Sequence, residues 1–197
     1  MLRRRKFHRA QNVCFDWSSN MKPKNKIWCA GCKYSIKSFK PLNQGEIDTG
    51  NLKESYVDAC DCVLMMRADV LKRYGLFDER FFVIHEFTEW CLRMTNRGYG
   101  CLFVPESKVW HKVSASLEKN KKENEISTYY NIRNWLLTVR KNKNFAFFLF
   151  VLLLESTALA IFRLTKWRQK KLINPYFTAI GHALIGKTPS GLYSKDY

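Results

Sequence analysis

The chain has 197 residues, enough to bury a core without disulfide staples, and 15% of them are aromatic, which excludes a disordered basic tail. Its 34 lysines and arginines against 17 acidic residues give a formal charge of +17, so an anionic partner is expected: nucleic acid, an anionic membrane surface or the phosphates of a nucleotide sugar. Arg3, Arg4, Arg5 and Lys6 are followed by no apolar run, so the pattern of a cleavable signal peptide is missing and a cytoplasmic compartment is expected.

Residues 1–25 read as a basic, flexible segment, with Met21-Lys22-Pro23-Lys24 marking a loop. From Lys26 to Gly50, short mixed runs separated by Pro41, Gly45 and Gly50 predict small strands and turns. Ala59 to Met66, ACDCVLMM, is an apolar run of strand length, and Asp69 to Tyr74 suits a short helix stopped by Gly75. Glu86 to Arg97 predicts a helix with Gly98 at its C-terminal cap, and Tyr99 to Val104 a strand ended by Pro105. Lys119 to Glu125 reads as a charged, solvated stretch, and a helix is expected from about Ser127 to Lys141.

Seven cysteines are an odd number, and in a cytoplasmic chain a disulfide framework is not expected. Trp28-Cys29-Ala30-Gly31-Cys32-Lys33 imitates a thioredoxin-type redox site, but that chemistry needs a preceding buried strand and a following helix to lower the first thiol's pKa. Lys22, Lys24, Asn25 and Lys26 precede the motif instead. Zinc on Cys29, Cys32, Cys60 and Cys62 is the better of the two functional readings, although the second pair is one residue too tight for the usual knuckle. Free structural thiols are the expectation.

Phe145 to Leu154 is ten uninterrupted apolar residues; Glu155, Ser156 and Thr157 interrupt the run, and it resumes to about Ile161. A spanning helix needs roughly 20 mainly apolar residues, and a carboxylate at mid-depth costs about 3 kcal/mol. Arg140, Lys141 and Lys143 precede the run, and Arg163, Lys166, Arg168, Lys170 and Lys171 follow it. Positive charge at both ends opposes a single crossing. It suits a helix lying on the anionic cytoplasmic face of the cell membrane, or a re-entrant hairpin whose second limb is Tyr176 to Ile185. A helix packed on another subunit is the alternative.

In the acidic helix, at about 100° per residue, Glu86, Glu89, Trp90, Arg93 and Arg97 share one arc, while Phe87, Cys91 and Met94 share an apolar one. Glu89 and Arg93 stand in the favourable order for a surface pair worth a few tenths of a kcal/mol. His111 closes the strand-like Lys108-Val109-Trp110, where a hydrogen-bonded structural role competes with metal ligation.

Several fragments occur in one order: Ile27-Trp28-Cys29-Ala30-Gly31, Asp48-Thr49-Gly50, Cys62 to Arg67, Gly75-Leu76-Phe77-Asp78-Glu79, Phe81-Phe82, the acidic helix, and Tyr129-Tyr130 with Arg133-Asn134. That ordered set resembles the C-terminal, acceptor half of a family 2 glycosyltransferase of the GT-A, rhamnosyltransferase-like type. The resemblance implies an α/β domain over residues 26–118, the C-terminal part of a GT-A-like nucleotide-diphospho-sugar transferase fold, followed by hydrophobic or amphipathic helices over residues 126–197, which their hydropathy and flanking charge read as a membrane-associated region. It implies a nucleotide-diphosphate sugar and a glycan or lipid-linked acceptor as substrates, and a role in polysaccharide biosynthesis at the cell envelope.

The family's acidic motif carries an Asp in second place as the base, but the four positions here are Glu86, Phe87, Thr88 and Glu89. Phe87 cannot accept a proton, so Glu89, and after it Glu86, is expected to substitute as the catalytic base, with Trp90 and Arg93 lining the acceptor. By the same resemblance His111 is a ligand of a divalent metal, Mg²⁺ or Mn²⁺. No Asp-x-Asp and no Gly-rich phosphate loop stands in residues 1–57, so a separate N-terminal nucleotide-binding half is expected as a partner and the chain alone is expected to be inactive. The alternative is a non-catalytic, membrane-associated scaffold derived from such an enzyme. No helix-turn-helix or zinc-finger pattern accompanies the charge, so nucleic acid is not an expected partner.

Overall fold

The structure is a computed structural model that describes residues 6–9, 13–16, 25–35, 39–60, 63–111, 121–157, 161, 165 and 172–186. The chain forms two compact units, Met1–Phe77 with Phe87–Ser116, and Asp78–Glu86 with Leu117–Tyr197. It is a mixed α/β protein with small sheets and five helices among the described residues.

In the first unit, β1 (Lys6–Arg9), β6 (Ser55–Val57) and β7 (Tyr99–Phe103) form one sheet, in the order β1-β7-β6. β7 is its central strand, parallel to β1 and antiparallel to β6. A strand paired on both sides and covered on both faces loses the polar alternation of an edge strand. Tyr99, Gly100, Cys101 and Phe103 are accordingly all buried. A second sheet joins β2 (Val13–Asp16), β3 (Ile27–Cys29) and β8 (Lys108–His111), with Asp16 opposite His111 in the parallel β2–β8 register. β4 (Cys32–Tyr34) and β5 (Phe39–Pro41) make an antiparallel pair. Gly31 lets the chain turn from β3 into β4: its φ is +91°, and a Cβ there would lie 2.5 Å from Val57 Cγ1.

α1 (Ala68–Tyr74) stops at Gly75, whose N–H bonds back to Leu71 O, as the glycine signal predicts. α2 (Glu86–Thr95) stops three residues before Gly98, which sits at φ +85°. α2 buries Trp90, Leu92 and Met94, each worth about 1.5–3 kcal/mol by area removed from water. Trp90 and Met94 close a core that also takes Ile27, Val57, Val70 and Phe103.

Three expectations are corrected in this unit. The run ACDCVLMM forms no strand among its described residues: the strand is Ser55–Val57, just before it, and Ala59 makes only an isolated bridge to Cys32. Within the segment read as flexible, Lys6–Arg9 and Val13–Asp16 are strands, because β7 and β8 offer them parallel edges. Glu89 and Arg93 are not a surface pair, since the Glu89 side chain is buried and that of Arg93 nearly so.

The second unit holds the loop Asp78–Glu86 and three helices, α3 (Lys121–Asn142), α4 (Phe145–Ser156) and α5 (Ile173–Ile185). α3 starts at Lys121, earlier than the expected Ser127; Lys and Glu are good helix formers, so a charged stretch does not oppose a helix. Tyr129, Tyr130, Ile132, Trp135 and Leu136 of α3 are fully buried. α3 packs against α4 and α5, which also touch each other. Asn144 caps α4, its Oδ1 accepting from Phe147 N–H at 2.8 Å. Arg140 reaches from α3 to the end of α5 and donates to the Leu184 carbonyl at 2.6 Å and the Ala183 carbonyl at 3.1 Å, two of the acceptors a helix end leaves open. No helix among the described residues is long and apolar enough to cross a membrane.

Candidate functional site

The turn after α1 is where the sequence-selected residues of α2 converge. Arg93 donates through Nη1 to the Tyr74 carbonyl and through Nη2 to the Leu76 carbonyl, both at 2.7 Å. Its Nε donates to Glu89 Oε1 at 3.1 Å, and the Glu89 side chain is 1% exposed. Trp90 donates its indole N–H to the Gly75 carbonyl at 3.3 Å. Glu89, Trp90 and Arg93 together therefore hold the backbone of Tyr74-Gly75-Leu76. Arg serves this better than Lys, because its planar fork reaches two carbonyls and a carboxylate at once. A buried ion pair of this kind is costly to break and of small net worth to keep, so its contribution here is positional. Phe87 packs edge-on against Phe77 with ring centroids 5.0 Å apart, on the apolar side of α2.

The segment Asp78–Glu86 is fixed within the second unit by α3. Arg80 and Asp78 form a two-pronged ion pair, with Arg80 Nη2 2.6 Å from Asp78 Oδ2, and Lys141 of α3 donates to the same carboxylate. Arg80 first, and Lys141 with it, hold the Asp78 carboxyl well below the usual carboxylate range. Arg133, fully buried, donates to the Arg80 carbonyl at 2.7 Å and to Asn134 Oδ1 at 2.6 Å. Asn134 in turn donates to the Val83 and Ile84 carbonyls, each at 2.7 Å. These bonds secure a strained stretch: Ile84 has φ +66° and His85 φ +71°, a region that costs a β-branched residue about 1–3 kcal/mol. His85 Nε2 lies 3.2 Å from Asn131 Oδ1, and its ring stands 6.1 Å from that of Trp135. Glu86, half-buried, opens α2 directly after this strain.

His111 is the last residue of β8 and is described by its backbone only. At the other end of β8, Lys108 pairs with Asp48 at 2.7 Å, and Asp48 Oδ1 also accepts from Gly50 N–H at 2.9 Å. The Lys108 bond, then that of Gly50, lower the pKa of Asp48. Asp48, Gly50, Leu52, Pro105, Glu106 and Lys108 line an open pocket of about 140 Å³. Among the described residues no three His, Cys, Asp or Glu side chains converge where they could hold a metal ion.

Cys29, Cys32, Cys60, Cys91 and Cys101 are buried and outside any disulfide. Cys29 and Cys32 sulfurs are 3.7 Å apart, and Cys60 pairs at 3.7 Å with Cys91 of α2. Cys62, the fourth zinc candidate, lies outside the described residues. Burial pushes the Cys60 thiol well up, and a hydrogen bond with Cys91, then burial, pushes Cys101 up. Thiols held protonated are poor nucleophiles and poor ligands. The sequence selected Glu86, Glu89, Trp90, Arg93 and His111, but not His85, whose positive φ no composition or spacing signals.

A stretch of 86 residues, 40% of the chain, is 31% identical to part of a dTDP-rhamnosyl transferase of Shigella flexneri and covers 28% of that protein. The chain therefore spans less than a third of the curated relative it matches. No family model matches the chain, and no solved structure does.

Proposed function

We propose that this chain supplies the acceptor side of a family 2, GT-A-type sugar transferase. The transfer runs from a nucleotide-diphosphate sugar, of rhamnosyl type, to a hydroxyl of a glycan or lipid-linked acceptor. The observation that carries the reading is the partial identity to a dTDP-rhamnosyl transferase. The strained Ile84–His85 backbone directly before the acidic start of α2 supports it, since such strain gathers at functional positions.

In an inverting transfer the acceptor oxygen bonds to the sugar's reactive carbon, the bond from that carbon to the diphosphate breaks, and a base takes the hydroxyl proton. Burial and the bond to Arg93 favour Glu89 as the residue that fixes the turn after α1, and Glu86 as the base. His85, one residue before it, orients the acceptor hydroxyl. The same reading assigns His111 to a divalent ion, and the nucleotide pocket to a separate N-terminal nucleotide-binding half.

Phe87, packed on Phe77 where the resemblance places an Asp, favours a second reading as a non-catalytic scaffold. Both are tested by following labelled sugar from nucleotide-diphosphate rhamnose to lipid-linked glycan, using the full chain together with a nucleotide-binding half. Glu86→Gln is expected to slow transfer by about 10²–10⁴-fold, the usual worth of a base. Unchanged transfer by Glu86→Gln overturns the base assignment. No transfer by the native chain or by Phe87→Asp leaves the scaffold reading standing.

A further inference from the structure

Among the described residues, nothing covers the apolar side of α4 and α5 that helices of their kind normally bury. On α4, Phe148, Val151 and Glu155 make a narrow buried stripe, while Leu149, Phe150 and Leu153 face outward, Leu153 at 63% exposure. On α5, Tyr176, Ala179 and Ala183 are buried, while Ile173, Phe177 and Ile185 are exposed. Both exposed sets follow helical spacing, so each is a continuous stripe on the side opposite that helix's buried contacts. The one acid of α4 does not interrupt it. Glu155 is fully buried, and Tyr176 O–H of α5 donates to both its Oε2 and its backbone carbonyl at 2.7 Å. The exposed positions of α4 and α5 are thus free of ionisable side chains.

We infer that this face of α4 and α5 docks on an anionic lipid bilayer. Helices of 12 and 13 residues are about 18 and 20 Å long, short of the roughly 30 Å hydrocarbon core, so they lie in the interface rather than cross it. Charge selects the partner. In sequence, Lys143 precedes α4, and Arg163, Lys166, Arg168, Lys170 and Lys171 stand between α4 and α5. A polybasic segment joining two interfacial helices in sequence is drawn to anionic headgroups. A second copy would cover the same apolar side chains, but it would bring together two chains of formal charge +17.

The test is co-sedimentation of the purified full chain with vesicles of phosphatidylglycerol and phosphatidylcholine, and with phosphatidylcholine alone. Binding to the anionic vesicles is expected, at least tenfold weaker on phosphatidylcholine. Leu153→Glu with Phe177→Glu is expected to lower the anionic partition at least a hundredfold while circular dichroism keeps the helices. If the glutamates unfold the unit, Leu153→Ser with Phe177→Ser is expected to lower it at least tenfold. Native partition by a folded variant overturns the proposal. So does a stable dimer in solution that binds neither vesicle and is split by Phe177→Glu, which would assign the face to a second copy.

Discussion

α2 and α4 each bury a glutamate, yet they treat the rest of their surfaces in opposite ways. α2 has a polar arc and an apolar arc, the pattern of a half-exposed helix, but Thr88, Glu89, Trp90, Cys91, Leu92 and Met94 are all buried. α4 has almost no polar side, the pattern of a helix buried all round, yet only Phe148, Val151 and Glu155 are buried. The difference lies in what the polar groups meet. Around α2 the carbonyls of Tyr74, Gly75 and Leu76 accept from Arg93 and Trp90, so a charged arc can enter the interior. Around α4 a neutral phenol from Tyr176 accommodates the carboxylate, and the outer side chains stay apolar. Periodicity reports which residues share a face; it does not report whether that face is covered.

Removing the cation of α2 should produce the largest effect. Arg93→Ala strands a buried carboxylate and the part-buried Tyr74 carbonyl, and about 3–5 kcal/mol of stability should be lost in urea unfolding. Adding Glu89→Gln to it should recover part of that loss; no recovery would mean that the carbonyl bonds, not the buried charge, dominate. The neutral clamp of α4 should matter less. Tyr176→Phe removes one donor shared by Glu155 Oε2 and its carbonyl, and about 1–3 kcal/mol should be lost. A loss as large as that of Arg93→Ala would erase the contrast between the two helices.

The smallest effect should come from Asp78, whose Arg80 partner is partly exposed. Asp78→Asn should cost less than about 1 kcal/mol near neutral pH. Its folded pKa is depressed below the unfolded value of roughly 3.9. The contribution is therefore complete above that value and disappears as pH falls through the lower folded pKa. Thermal melts of the native protein and of Asp78→Asn should converge in acid and separate above about pH 4. Equal separation at every pH would show that the Asp78 pair is not what titrates.

Several features were legible in the chain itself. Gly75 marked the end of α1, Gly98 the turn that follows α2, and the apolar run before Pro105 marked β7, because chain breaks and apolar runs are local signals. Others depend on residues far apart in sequence. The run ACDCVLMM reads as a strand, but β7 pairs with Ser55–Val57 instead, and an apolar run carries no information about its partner. Glu89 and Arg93 read as a surface pair because their spacing allows one; only the fold brings the Tyr74 and Leu76 carbonyls to Arg93 and buries the Glu89 carboxylate. The left-handed backbone of Ile84 and His85 opposes their local preferences and persists because Asn134, some fifty residues on, binds the Val83 and Ile84 carbonyls.

The sequence by itself determined α1, α2 and β7, the basic charge and the order of fragments that resembles a sugar transferase, since these follow from local propensity and composition. Tertiary structure decided which glutamate is committed to Arg93, which thiols are buried and held protonated, and where strain is placed ahead of Glu86. Those properties depend on desolvation and on hydrogen bonds between distant segments, and neither exists until the chain has folded.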